Sequence, residues 1–413
     1  MEFRTTRLTP WVGGIILLFP ILLLCVPRGA GIFIGATVLF AVLSGRGLGQ
    51  AWRTCHAELW PLGAAILAVL VVLLLSRQHF GVPWSEMDNP SRLLLALLVC
   101  LVVVYARPSS DWLWRGINIG LASALVVVVF QRFVQGIDRP SAWIQAIAFA
   151  NMVAALGLVG FVRPGVGSRA HIAAWVSLGL AGVVLVLNGT RGAWLAMSIP
   201  AVPLLFVRYP SLRAAKFLAA LMAIVALAVT LYAVPGSPVG ERIDRVTTEI
   251  HQFQNGNENS SVGARLALWE VAIDTFRAHP WLGIGASQFN TAVKASRFCA
   301  ANGKSEVCVL GHAHNDILEA ASTMGLPGLL ATLGIVIVPG WLFAQAWRAG
   351  RQASNVNGER VAAAGLAVVV ASFISGLTQV TMAHQANVVF YAGIIGLLLG
   401  LTVVQTRFPL EPK

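Results

Sequence analysis

The chain has 413 residues, of which 57% are hydrophobic and only 11% charged, and its mean hydropathy is +0.76. Those values exclude an ordinary soluble protein, whose water-facing surface needs far more charge. The formal net charge of +12 is accompanied by no nucleic-acid-binding motif. It is read as membrane topology plus contact with anionic membrane lipids, with no nucleic-acid partner.

Nine apolar runs come first, at 11–27, 29–44, 59–75, 91–106, 116–136, 143–162, 171–188, 193–207 and 216–235, and three more at 317–346, 361–381 and 385–406. Each is long enough, or nearly so, to cross about 30 Å of hydrocarbon as a helix. Pro20, Pro200 and Pro203 fall inside spans, where neighbouring helices satisfy the freed backbone groups. The expected fold class is therefore an all-α polytopic membrane protein with about 12 transmembrane helices. Residues 1–235 hold helices one to nine, 236–315 form a small helical domain outside the membrane, and 316–413 hold helices ten to twelve. The first span lacks a small-residue cleavage site at its end and reads as a retained helix.

Lys and Arg in the short loops set the orientation. With a cytoplasmic N-terminus, sixteen of them fall on that side, among them Arg46, Arg53, Arg163, Arg208 and Arg360. The short loops of the opposite side receive only Arg28, Arg77, Arg92, Arg132, Arg139 and Arg191. Both termini are thereby placed in the cytoplasm and the polar segment outside it.

Between the seventh and eighth spans lies Asn188-Gly189-Thr190-Arg191-Gly192, in which Arg191 is the only Asp, Glu, Lys or Arg between Arg169 and Arg208. The flanking glycines permit an irregular backbone, which survives at membrane depth when it lines a cavity. An unpaired Arg there costs a few kcal/mol, so an anionic partner is expected. The plainer reading is an Arg snorkelling from a tight turn.

The polar segment from Gly236 carries most of the acids of its neighbourhood, which marks a separate domain. Asn255-Gly256-Asn257-Glu258-Asn259 reads as a flexible linker. After it, residues 262–278 place Leu266, Trp269, Ala272, Ile273 and Phe276 at helical spacing, and Pro280 ends the helix. This gives one greasy face, expected to lie over the membrane part. Arg265 sits in the first turn, where free N–H groups and the positive dipole end already favour an anion. A guanidinium fork there would hold a diphosphate bidentately. Arg242, Arg245 and Arg277 are lesser candidates, and a surface arginine is the plainer reading of each. Cys299 and Cys308 lie nine positions apart in this segment, and in an oxidising compartment they are candidates for a disulfide. Cys25 and Cys100 sit in apolar spans and Cys55 in a cytoplasmic loop.

Where the polar segment meets the tenth span stands Gly311-His312-Ala313-His314-Asn315-Asp316, followed by Ile317-Leu318-Glu319 and, further on, Gly325-Leu326-Pro327-Gly328. Histidine is the side chain best suited to act as a base near neutral pH. Asn315 as a helix cap with bystander histidines is the plain alternative. A metal set of His312, His314 and Asp316 is disfavoured, because alternating ligands suit a strand while a helix begins here. Glu319 either orients a histidine or favours the helix start.

Together these residues resemble the O-antigen ligase family of the wider ligase/polymerase superfamily. His314-Asn315, nine residues, then Gly325-Leu326-Pro327-Gly328 match that family's histidine pattern. Arg191 and Arg265 look like its two essential arginines, and the run Arg265, Trp269 and His279-Pro280-Trp281-Leu282-Gly283-Ile284-Gly285 resembles the segment before the histidine. The resemblance implies a fold related to GT-C-type membrane glycosyltransferases. The implied reaction is metal-independent, inverting and cofactor-free, and it moves O-antigen from undecaprenyl pyrophosphate onto a sugar hydroxyl of lipid A–core. His314 would be the base, and Arg191 and Arg265 would bind pyrophosphate. His312, Asn315 and Glu319 would be supporting groups. The site would face the periplasm from the inner membrane. O-antigen polymerase, protein O-oligosaccharyltransferase and a lipid-linked glycan transporter are the competing readings.

Overall fold

The computed structural model describes residues 6–165, 167–211, 215, 218, 222, 248–255, 258, 260–300 and 306–408. Its regular structure is helical throughout the described residues. The main helices are α1 (Thr9–Cys25), α2 (Gly29–Ser44), α3 (Gly47–Phe80), α4 (Leu95–Ala106), α5 (Asp111–Phe133), α6 (Ala146–Phe161), α7 (Ser168–Asn188), α8 (Arg191–Arg208), α9 (Ser261–Ala278), α10 (Asp316–Gln352), α11 (Val356–Gly376) and α12 (Gln385–Arg407). Among the described residues seven stretches have the length and hydropathy to cross a membrane, and α1, α2 and α6 are shorter apolar helices. The chain is a multi-pass membrane protein. The ninth apolar run, 216–235, lies almost wholly outside the described residues, as do Arg242, Arg245 and most of the 255–259 linker.

The chain divides into two units. The first comprises residues 1–75, 83–208 and 330–413, and the second comprises 76–82 and 209–329.

In the first unit the helices meet through small residues. In lipid no hydrophobic effect drives helices together, so close backbone approach and dispersion contacts must do it. Gly116 and Gly120 of α5, one turn apart, face α1. A Cβ on Gly116 would lie 2.2 Å from the Leu17 carbonyl oxygen, and one on Gly120 would lie 2.7 Å from Pro20. Gly396 and Gly400 of α12 repeat the device against Ala96 and Val103 of α4, at 2.3 and 2.8 Å. Each fits only hydrogen, and a larger side chain would force the pair apart at a cost of about 1–3 kcal/mol. The apolar window of α12 is buried throughout, making it the central helix of this unit.

Two arginines counted above as topology signals have a second role. Arg208 and Arg360 are 2% and 5% exposed. Arg208 donates to the carbonyls of Arg163 and Ala170 at 3.0 and 2.9 Å, and Arg360 to those of Arg163 and Gly165 at 3.1 and 2.7 Å. They tie down the connection between α6 and α7. Cys55, read from the sequence as a loop residue, instead lies buried within α3, at a kink in that helix. The polar residues flanking the apolar run continue the same helix, which hydropathy alone does not register.

The described part of the second unit is built around α9. Its core is Ala264, Ala267, Leu268, Val271 and Ala272 against Phe289, Val293, Val307 and Ala313, with Cys299 and Cys308 joined in a disulfide. This corrects the expected face of α9. Leu266, Trp269 and Phe276 are only partly buried and Ile273 is 39% exposed, while the face one step round is packed. Small residues won because they let the disulfide-linked segment approach the helix closely, whereas size drew attention to the other stripe.

Candidate active site

The His314 segment belongs to the second unit and is held by its neighbours on both sides. The Asn315 side chain accepts from the N–H groups of Ile317 and Leu318 at 2.9 and 3.1 Å, which makes Asn315 the cap of α10. Glu319, one turn in, reaches back to accept from the Ala313 N–H at 2.7 Å, and its other oxygen lies 3.4 Å from His312 Nδ1. Ala313 is buried in the core beneath. His314 sits between these fixed points with φ of 50°, a left-handed conformation that costs a non-glycine residue about 1 kcal/mol or more. Its imidazole is half-buried, whereas His312 is exposed.

Ten residues beyond Asn315, α10 breaks at Gly325, with φ 64° and ψ −158°. The sequence around the break explains what fills it. Pro327 has no N–H to offer the Thr323 carbonyl, and the Leu326 N–H is given to the Pro280 carbonyl at 2.7 Å. The carbonyls of Ser322 and Thr323 are taken by the N–H groups of Ile284 and Gly285, at 3.2 and 2.8 Å. The segment Pro280–Gly285 thus lies along the break and completes its hydrogen bonding. Backbone-to-backbone contact this close needs glycine on both sides. A Cβ on Gly283 would stand 2.3 Å from the Thr323 carbonyl carbon, and one on Gly325 would stand 2.5 Å from that of Trp281. The two sequence patterns around His314 and before it are therefore halves of one joint.

Arg265 lies on α9, and the alanines beside Arg265 and His314, Ala264 and Ala313, share one core. The arginine folds back along its helix, donating from Nη1 to the Ser261 carbonyl at 3.0 Å and to Ser261 Oγ at 2.9 Å. The start of α9 is already supplied with acceptors. Ser260 Oγ takes the Gly263 N–H at 2.9 Å, and the Glu249 carboxylate takes the Val262 N–H at 3.1 Å. Glu249 was not foreseen, since a lone acid some dozen residues before a helix carries no local signal. Arg277 pairs with Asp274 at 3.6 Å.

Arg191 belongs to the first unit. Gly189, with φ 75°, ends α7, and Arg191 begins α8. The turn between them is fixed from beneath by Asn188, fully buried, whose amide donates to the carbonyls of Pro140 and Ala146 at 2.8 and 3.3 Å. Thr190 donates to the Asn188 side chain and receives Arg139 Nη2 at 3.0 Å. Arg191 itself is exposed and makes no hydrogen bond or ion pair among the described residues. A helix N-terminus repels a cation, so two guanidiniums beside one such turn are an arrangement that an anion would relieve. Arg139 was missed in the sequence, where it was one basic loop residue among six.

Among the described residues no group of three His, Cys, Asp or Glu is placed to hold a metal ion. His312, Asn315 and Glu319 are brought together with His314, Arg265 shares their unit, and Arg191 stands in the other.

Comparison with known proteins points the same way. A family model described as O-antigen ligase matches residues 176–333, a range that contains Arg191, Arg265, His314 and the Gly325 joint. An uncharacterised protein of Haemophilus influenzae is 25% identical over 332 residues, covering 74% of this chain and 77% of that one. An O-antigen ligase of Escherichia coli is 29% identical over 155 residues, 36% of each chain.

Proposed function

We propose that this chain, which is similar to the O-antigen ligase family over residues 176–333, moves O-antigen from undecaprenyl pyrophosphate to a sugar hydroxyl of lipid A–core. A ligase/polymerase-type role follows from the family; donor, acceptor and residue roles are our reading. The observation that carries it is the effort spent on His314: a strained backbone, capped by Asn315, braced by Glu319 and set at a fixed distance from a glycine joint.

In this reading His314 takes the proton from the acceptor hydroxyl as the oxygen attacks the anomeric carbon. The bond to the pyrophosphate oxygen breaks on the opposite face, so the configuration inverts. Negative charge grows on the departing pyrophosphate, and Arg191 and Arg265 neutralise it. Arginine suits the task because its planar fork meets two phosphate oxygens at once. Two cations and a base supply what the reaction needs without a metal. The distribution of basic residues among the short loops supports a site that faces the periplasm from the inner membrane.

The test is to incubate purified protein with undecaprenyl-pyrophosphate O-antigen and lipid A–core and to follow the glycan by gel, with and without EDTA. Glycan on lipid A–core in both conditions is expected. Longer lipid-linked chains with untouched lipid A–core would make the protein a polymerase, and complete loss with EDTA would overturn metal independence.

A further inference from the structure

A cavity of about 750 Å³ opens in the first unit between the starts of α2, α6 and α12, lined among others by Arg28, Asn89, Trp143, Gln145, His384 and Gln385. No acid is among its lining residues. The Arg28 guanidinium is exposed and makes no hydrogen bond or ion pair among the described residues, and Trp143 is 60% exposed. Three other polar walls are held in place. Asn89 donates to the Ala383 carbonyl at 2.9 Å, Gln145 accepts from the Ala148 N–H at 3.0 Å, and the Gln379 amide nitrogen lies 2.8 Å from His384 Nε2.

Two loops connect this cavity with the Arg191 turn. The α5–α6 connection supplies Trp143 and Gln145 to the cavity, while its Arg139 and Pro140 bond to Thr190 and Asn188. The α11–α12 connection supplies His384, while its Thr378 packs on Gly192, where an added Cβ would lie 2.7 Å from Thr378 Oγ1. A ligand in the cavity therefore rests on the same two loops that fix Arg191.

The chemistry of the walls selects the ligand. A cation with no acid to neutralise it takes an anion, and a guanidinium takes phosphate best. An exposed indole with planar amides around it suits the apolar face and the hydroxyl rim of a sugar ring. We propose that this cavity binds the phosphorylated sugar headgroup of a glycolipid, the acceptor substrate, with Arg28 on a phosphate and Trp143 against the sugar. This rests on the ligase reading for the acceptor's identity, but the binding it describes does not require turnover.

The experiment measures binding to the full-length protein in phosphatidylcholine nanodiscs, titrated with bisphosphorylated lipid A, its dephosphorylated form, or phosphatidylglycerol. Arg28→Ala should weaken bisphosphorylated lipid A about tenfold and leave the dephosphorylated form unchanged, with Arg28→Lys in between. Trp143→Ala should weaken both glycolipids and spare phosphatidylglycerol. Unchanged affinity in both Ala variants would overturn the proposal, and so would phosphatidylglycerol binding as tightly as lipid A with equal loss in Arg28→Ala. Binding that behaves as expected in a protein that transfers no glycan would overturn the ligase reading alone.

Discussion

Arg208 and Arg360 stand in contrast to Arg191 and Arg28, although all four lie in the same helical unit and carry the same group. The first two are buried, and each aims its guanidinium at backbone carbonyls of the α6–α7 connection. The second two are exposed, at the starts of α8 and α2, with no partner among the described residues. A buried cation whose Nη groups donate to backbone carbonyls is a structural tie, and a cation left open beside a helix start awaits an anion. Sequence counts treat all four as loop charge; hydrogen bonding separates them.

The largest effect that sharpens this contrast is on activity. Arg191→Ala should lower transfer by about two to three orders of magnitude while leaving the melting temperature in place, and Arg191→Lys should recover only part, lacking the bidentate fork. Arg208→Ala should do the reverse. It takes the arginine donor from the Ala170 carbonyl and one of two arginine donors from the Arg163 carbonyl, at about 1–3 kcal/mol in all, so the unfolding temperature in detergent should fall while transfer per folded molecule stays within a few-fold. If the two variants behave alike, the distinction between tie and site is wrong.

The joint at Gly325 comes next. Gly325→Ala places a Cβ against the Trp281 backbone in a conformation that only glycine adopts readily. A loss of about 2–3 kcal/mol and a fall in transfer are expected, because the joint sits one helical stretch from His314. A loss of similar size, about 2–3 kcal/mol but confined to the second unit, should follow from replacing Cys299 and Cys308 by Ser, since the bridge closes a short loop. It should be read by limited proteolysis around α9 and should leave membrane insertion intact. Last, transfer should decline as pH falls and a histidine base takes up its proton. A rate flat from about pH 5 to 8 would remove histidine as the base.

Helices buried in lipid were easy to read, because apolar runs fix them. The runs 171–188 and 385–406 appear as Ser168–Asn188 and Gln385–Arg407. Where helices leave the apolar band the signal stops. The run 59–75 is only the middle of a 34-residue helix, and Cys55 was misplaced for that reason. The packed face of α9 was misread because alanines make a tight core without standing out in a hydropathy scan. The residues around His314 could be picked out by type and spacing. What the spacing is for, a helix broken by glycine and proline and completed by Pro280–Gly285, depends on contacts forty residues apart in sequence. Arg139 and Glu249 are likewise visible only through the partners they reach.

The claim on which all of this turns is that His314 removes the acceptor proton. The most direct measurement compares wild-type protein with His314→Ala and His312→Ala in one transfer assay, each checked for folding by thermal unfolding. His314→Ala should lose about two to four orders of magnitude in rate, with donor binding retained, and His312→Ala should lose far less. A His314→Ala protein that transfers within a few-fold of wild type would contradict the assignment.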